Sequence, residues 1–339
     1  MMRPSGLQGL ASACSLADPG GGALVDEASG SVEKAIALGR SLVENLSRVL
    51  LGAPSAVAAA AMATLSGGHL LIEDVPGVGK TVLARALAAS LGSELSRIQG
   101  HPDLLPSDVT GVSVFSAEDS TWEFRPGPVF AHVVLVDELN RTPPRTQSAL
   151  LETMEEQQVT VDGESRPLPI PHLVVATQNP HSQLGTYPLV SSQLDRFSLC
   201  TTVGYPDADT EARLLLHQGG KLALHGLQQV CDIRGWLAAQ RATEAVEVSP
   251  VVAHYAVELS RATRAAAGVR LGASPRASIW LIRTAQAHAV LSGREYVVPD
   301  DVKAMAVPCL AHRLGTDDGS GQAVSVVRGV LESTPTPRP

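Results

Sequence analysis

Two stretches of the chain carry side chains suited to holding a polyphosphate. Leu70-Leu71-Ile72-Glu73 reads as an apolar strand, Asp74-Val75-Pro76-Gly77-Val78-Gly79 as a glycine-bearing loop, and Lys80-Thr81-Val82-Leu83-Ala84-Arg85-Ala86-Leu87 as the start of a helix. In such a turn the N–H groups of the loop and helix N-terminus point at phosphate oxygens, whose charge the helix dipole favours. Lys80 would reach the β- and γ-phosphates, and the Thr81 hydroxyl would ligate Mg²⁺. Asp74, Val75, Pro76, Gly77, Val78, Gly79, Lys80 and Thr81 are therefore the expected nucleotide-binding set. One position departs from GxxxxGK[ST]: Asp74 stands where the first glycine belongs. Gly77 and Gly79 still permit close backbone approach.

About 57 residues after Lys80, Val133-Val134-Leu135-Val136-Asp137-Glu138 reads as a buried strand ending in two carboxylates. Asp137 suits the magnesium shell at the carboxyl edge of a sheet, and Glu138 suits the orientation and polarisation of an attacking water. Either stretch alone has an ordinary reading, a chance Gly-Lys-Thr turn or a solvated strand end. Their combination in this order is specific.

The elements that must position these groups follow from the hydrophobic pattern. Up to about Gly204, continuous apolar runs (69–72, 129–136 and 172–177) alternate with helical patterns, as in βαβ units on a parallel sheet covered on both faces. From Tyr205-Pro206 onward the pattern is helical. The expected fold is α/β, a phosphate-loop parallel sheet with flanking helices, followed by an all-helical C-terminal domain. The division is 1–31 as a disordered leader, 32–205 as the nucleotide-binding core, 206–333 as the helical domain and 334–339 as a frayed tail. Gln158-Val159-Thr160-Val161 before Asp162-Gly163 predicts a hairpin, returning through Arg166 to Ile170 along an edge because of its prolines.

With these motifs in place the chain resembles the MoxR family of AAA+ ATPases, over roughly Val32 to Glu332. The resemblance rests on Arg97-Ile98-Gln99 with Pro102 through Gly111, on Phe124-Arg125-Pro126-Gly127-Pro128 and on Asp137 through Pro144. Gln147 through Glu152 and Gly272-Ala273-Ser274-Pro275-Arg276-Ala277 complete it. Gly100-His101 departs from the bulky apolar residue and threonine usual there. The resemblance implies an AAA+ core with a helical lid, an insert in its second helix around Val112 to Trp122, and the Asp162-Gly163 hairpin before the sensor 1 strand.

It also implies further site residues. Asn179, ending Leu173-Val174-Val175-Ala176-Thr177-Gln178, resembles sensor 1, an amide on the γ-phosphate or lytic water; its ordinary reading is a turn-forming Asn before Pro180. Arg196, in Ser192-Gln193-Leu194-Asp195-Arg196-Phe197, resembles an arginine finger offered to a neighbouring subunit. A surface pairing with Asp195 or a glutamate is the ordinary reading, and Arg141 and Arg145 are rival fingers. Arg276 follows a Ser274 N-cap and Pro275, where a cation opposes the helix dipole by a few tenths of a kcal/mol. A phosphate there would reverse that sign, as for a sensor 2 arginine acting in its own site or a neighbour's.

Composition narrows the partners. Lys and Arg number 26 against 34 Asp and Glu, a net charge of −8, which argues against bulk electrostatic attachment to nucleic acid or anionic membrane. No run is apolar for long enough to span a bilayer. Four cysteines without a CxxC pair fit a reducing compartment, and the expected location is the cytoplasm. Histidine spacing offers no metal motif, and no GxSxG accompanies a nucleophilic serine. The expected activity is Mg²⁺-dependent ATP hydrolysis. The resemblance adds a homo-oligomeric ring, of six subunits in similar proteins, that remodels client proteins or inserts cofactors, with von Willebrand A domain proteins as possible partners. The rival readings are a nucleotide-gated scaffold with negligible turnover and a DNA-associated motor.

Overall fold

Three apolar runs of the sequence become the centre of one parallel sheet. The computed structural model describes residues 21–75, 77–179, 185–216, 224, 226–317 and 320–337, with backbone only for 21–30 and 320. The sheet contains β1 (Leu70–Glu73), β2 (Leu95–Gln99), β5 (Val133–Asp137), β8 (Leu173–Gln178) and β9 (Leu199–Thr201), in the order β2-β5-β8-β1-β9. Leu70 is level with Val175 and Leu199, and Val133 with Leu173, so the strand ends carrying polar residues lie at one edge. Alternate side chains enter opposite faces. Leu70, Ile72, Val133, Leu135, Leu173 and Val175 join one apolar cluster, whereas Leu71, Val134, Val136, Val174 and Ala176 join another.

The helices in the nucleotide-binding half are α1 (Gly21–Val49), α2 (Pro54–Ser66), α3 (Lys80–Ser90), α4 (Pro106–Thr110), α5 (Pro144–Glu156) and α6 (Ser191–Leu194). Among the described residues, α7 (Ala208–Leu216), α8 (Ile233–Glu244), α9 (Pro250–Ala265), α10 (Pro275–Leu291), α11 (Pro299–Leu310) and α12 (Ser320–Ser333) build the C-terminal part. Asp232, Ser249 and Ser274 cap α8, α9 and α10, each accepting a backbone N–H, and Pro250 and Pro275 occupy first-turn positions where no donor is lost. The apolar cluster on one sheet face continues through Leu42, Leu46 and Leu65 of α1 and α2 to Trp236, Leu281 and Val302 of the C-terminal helices. The Trp236 indole donates to the Thr64 carbonyl at 3.0 Å.

Two expectations change. Helix α1 starts at Gly21, so the expected disordered leader overlaps it by eleven residues; residues 1–20 lie outside the described residues. Ala23-Leu24-Val25-Asp26-Glu27-Ala28 adjoins the amphipathic run from Val32, and adding turns to an existing helix outweighs the cost of Gly21, Gly22 and Gly30. The return strand of the predicted hairpin is β7 (Glu164–Pro167), closer to the turn than expected. It pairs with β6 (Gln158–Val161) through a two-residue loop in which Asp162 and Gly163 both have positive φ, 54° and 80°. Past Pro167, prolines at 169 and 171 remove the donors that pairing requires. The insert expected at 112–122 is likewise a hairpin, β3 (Gly111–Ser116) with β4 (Thr121–Pro126).

His69 enters β1 as a buried bridge. Its Nδ1 accepts the Val174 N–H at 3.1 Å, which leaves Nε2–H to donate to the Met154 carbonyl at 3.1 Å. Burial, then the nearby His172 ring, lowers its pKa from 6.5 to about 3. The unfolded chain therefore binds this proton first on acidification. The stabilisation is complete above pH 6.5 and is lost as pH falls toward 3. Urea titrations should show stability declining across that window by up to about 1.4 kcal/mol per pH unit from this group. In His69→Asn the slope should be shallower, although stability at neutral pH is lower.

Candidate nucleotide-binding site

The phosphate loop leaves β1 at its carboxyl end and enters α3 at Lys80. Gly77 and Gly79 have φ of 89° and 100°, a left-handed backbone that favours glycine. Pro76 lies outside the described residues. The Lys80 ammonium donates to the Asp74 carbonyl at 2.6 Å. Burial lowers the Lys80 pKa, and the charges of Asp74, Asp137 and Glu138 pull it back up. Across the sheet edge, the Thr81 hydroxyl donates to Asp137 Oδ2 at 3.5 Å. The lysine, the threonine and the acidic tip of β5 therefore meet, as the sequence required. Beside the loop lies a cavity of about 360 Å³, walled by Leu50, Val78, Val82, Val203, Tyr205 and Leu214.

Asp137 is 7% exposed and bonded on both oxygens. Thr177 donates to Oδ1 at 3.5 Å, and the Arg97 guanidinium reaches Oδ2 at 2.8 Å from β2. Glu138 sits in the left-handed region at φ 56°, its N–H donating to Thr177 Oγ1 at 2.9 Å. Such a conformation is costly outside glycine and here turns the chain sharply at the strand end. Its carboxylate accepts from Arg141 at 2.9 Å and from Gln99 at 3.5 Å. Arg141, a rival finger, is thus bound to its own chain's Glu138, while Arg145 is exposed in the first turn of α5. A Cβ at Gly100 would lie 2.2 Å from the Glu138 carbonyl oxygen, so glycine lets β2 pass this close. Asn179 directly follows β8, which lies between β5 and β1, and its carbonyl accepts from Asn140 Nδ2 at 3.2 Å.

Arg196 and Arg276 lie elsewhere. Both pair with one carboxylate, Glu155 near the end of α5: Arg196 at 3.2 Å, and Arg276 through the other oxygen. The neighbouring Met154 carbonyl meets His69, and Ser198 N–H donates to the His69 carbonyl at 2.9 Å. The triad is therefore at the amino edge of the sheet. From the level of His69 to that of Asp74 is about 16 Å at roughly 3.3 Å per residue. The anion that offsets Arg276 at the α10 N-terminus is Glu155, not the adjacent Asp195. Asp195 accepts from Ser274 Oγ at 2.9 Å and pairs with Arg313 at 3.1 Å. Sequence reasoning named Asp195 or a glutamate only as an ordinary partner of Arg196; the glutamate is Glu155, and its link to Arg276 and that of Asp195 to Arg313 span 121 and 118 residues, with no local pattern to announce them. Arg97 carried a signal only as part of the Arg97-Ile98-Gln99 resemblance; its place beside Asp137 comes from the parallel pairing of β2 with β5.

The described cysteines are free thiols, and burial raises the pKa of Cys231 to about 11 and those of Cys200 and Cys309 as well, which disfavours thiolate chemistry.

Residues 69–199 match the profile of the "ATPase family associated with various cellular activities (AAA)", and 261–328 match the AAA lid domain. The sheet, loop and acidic tip are those of an AAA+ ATPase domain with a helical lid. Chaperone MoxR1 of Mycobacterium tuberculosis is 35% identical over 95% of this chain and 86% of its own length. YeaC of Bacillus subtilis is 44% identical over 87% and 93%, respectively. A crystal structure from Cytophaga hutchinsonii, described as a candidate ATPase, superposes with a TM-score of 0.84 at 32% identity, covering 94% of this chain and all of that one. The chain belongs to the MoxR family of AAA+ ATPases. No helix among the described residues is long and apolar enough to cross a membrane.

The Arg313 side chain is 1% exposed, and its Nε faces Asp195. Removing that partner leaves a buried cation uncompensated. Asp195→Ala should lose about 3 kcal/mol in urea unfolding, whereas Glu155→Ala, at a partly exposed triad, should lose less than about 1 kcal/mol.

Proposed function

We propose that this chain is a Mg²⁺-dependent ATPase that works as one subunit of a hexameric ring and remodels client proteins. The observation that carries the reading is the meeting of Lys80, Thr81 and the Asp137-Glu138 tip at one sheet edge. The Thr81 hydroxyl and the Asp137 carboxylate are hard oxygen donors 3.5 Å apart, a pair that suits Mg²⁺ completed by phosphate oxygens. Bound there, the ion would neutralise charge on the β- and γ-phosphates. The apolar cavity beside the loop suits the nucleoside base. Glu138 is assigned as the group that polarises the attacking water, and Asn179 as the amide that orients it or the γ-phosphate.

Arg196 and Arg276 are assigned to a neighbour's site. Their place at the amino edge, about 16 Å from the level of their own loop, supports a role in trans, and Glu155 supplies their counter-charge within the chain. The working division is 32–205 as the core and 206–333 as the lid. The client-facing elements are the hairpins 111–126 and 158–167. In the first, Phe115 and Trp122 are 49% and 71% exposed, with ring centroids 5.5 Å apart, and exposed aromatics of this kind anchor protein partners. The chaperone name of the mycobacterial relative agrees with this direction.

Steady-state phosphate release tests the reading. Glu138→Gln should bind Mg-ATP and release phosphate roughly a hundredfold more slowly; equal rates would leave only a nucleotide-gated scaffold. Arg196→Ala and Lys80→Ala should each be inactive alone, and mixing them should restore part of the turnover. Failure of rescue at every ratio would remove the trans assignment.

A further inference from the structure

We propose that Asp74 is a positioning residue that ties the phosphate loop to the linker between sheet and lid, and thereby sets the wall against which the nucleoside rests. The proposal rests on the ATP-binding reading above and adds to it a role for the one position where the loop departs from its motif.

The Asp74 carboxylate is committed to backbone donors. Oδ1 accepts the Val75 N–H at 2.7 Å, and Oδ2 accepts both the Val203 N–H and the Gly204 N–H at 2.7 Å. Bonds from N–H groups to a carboxylate are among the stronger ones available to a backbone. Val203 and Gly204 follow the last residue of β9 by two and three positions and precede α7. Both line the cavity beside the loop, together with Gly77, Val78, Gly79, Tyr205 and Pro206. Gly204 has φ 75°, so the chain turns sharply where the carboxylate holds it.

The same residue holds the lysine by a different group. Its carbonyl, not its side chain, accepts from Lys80 at 2.6 Å. A glycine at position 74 would supply that carbonyl and nothing more. The carboxylate is therefore the part of the loop that reaches the linker, and a direct contact with an anionic phosphate would set two negative charges together. Asp74 thus acts on the base end of the ligand through Val203 and Gly204. The lysine and the glycines act on the phosphate end without it.

The two ends can be measured separately. Thermal-shift titrations of the full chain with Mg-ADP and with inorganic triphosphate report them, using Asp74→Ala and the near-isosteric Asp74→Asn, whose amide places a donor against the linker N–H groups. Affinity for Mg-ADP should fall by about tenfold or more, the loss of one charge-assisted bond, while affinity for triphosphate changes less than about twofold. Hydrogen exchange at the Val203 and Gly204 amides should accelerate in both variants, with β1 and β8 unaffected. Parallel weakening of both ligands would overturn the proposal and place Asp74 on the phosphate loop itself. Unchanged Mg-ADP affinity, or unchanged exchange at Val203 and Gly204, would overturn it as well. If Asp74→Ala does not fold, Asp74→Asn decides by the same outcomes. Wild-type protein stabilised by neither ligand would instead remove the ATP-binding reading beneath it.

Discussion

The parallel register of β1, β8 and β5 is the constraint on which the rest of the molecule depends. Because Leu70 pairs with Val175 and Leu135 with Val175, three strand ends arrive at one edge together. There the loop after β1, Asn179 after β8 and the Asp137-Glu138 tip of β5 become neighbours despite long separations in sequence. A shift of one residue in any pairing would turn that strand's apolar side chains to the wrong face. The two apolar clusters, fed by alternate residues of the same strands, therefore fix this edge as firmly as the hydrogen bonds do.

The two edges of this sheet gather different sets of charged groups. At the carboxyl edge, acids gather around one lysine, and Arg97 and Arg141 hold Asp137 and Glu138 by 2.8 and 2.9 Å contacts. At the amino edge two arginines share the single carboxylate of Glu155, and the buried Arg313 has Asp195. The carboxyl edge thus presents two acids each held by an arginine, and the amino edge two arginines held by one acid.

Much of this was legible in the sequence where a local pattern enforces it. The continuous runs ending in Ile72, Val136 and Thr177 gave the central strands, since a strand covered on both faces leaves no room for alternation. Asp162-Gly163 gave its turn, since both positions need positive φ. The edge strands were not legible: Leu95-Ser96-Arg97-Ile98-Gln99 is half polar because it is half exposed, and Leu199-Cys200-Thr201 is too short to show a period. The same limit applied to the site. Lys80, Thr81, Asp137 and Glu138 sit in motifs, whereas the pairing of Glu155 with Arg196 and Arg276 exists only once α5, the segment after α6 and α10 are folded together. The glycines near 21 and 30 pointed to coil, and the helix formers between them prevailed.

The unbroken apolar body beneath the sheet has a mechanical meaning. Leu42, Leu46, Leu65, Trp236, Leu281 and Val302 belong to it together with the strands, so core and lid share one interior. Each 100 Å² uncovered by prying them apart costs roughly 2.5 kcal/mol, a large share of the ~5–15 kcal/mol that keeps a domain folded. Core and lid joined in this way resist being hinged apart, and a load placed on one is carried into the other through that shared interior.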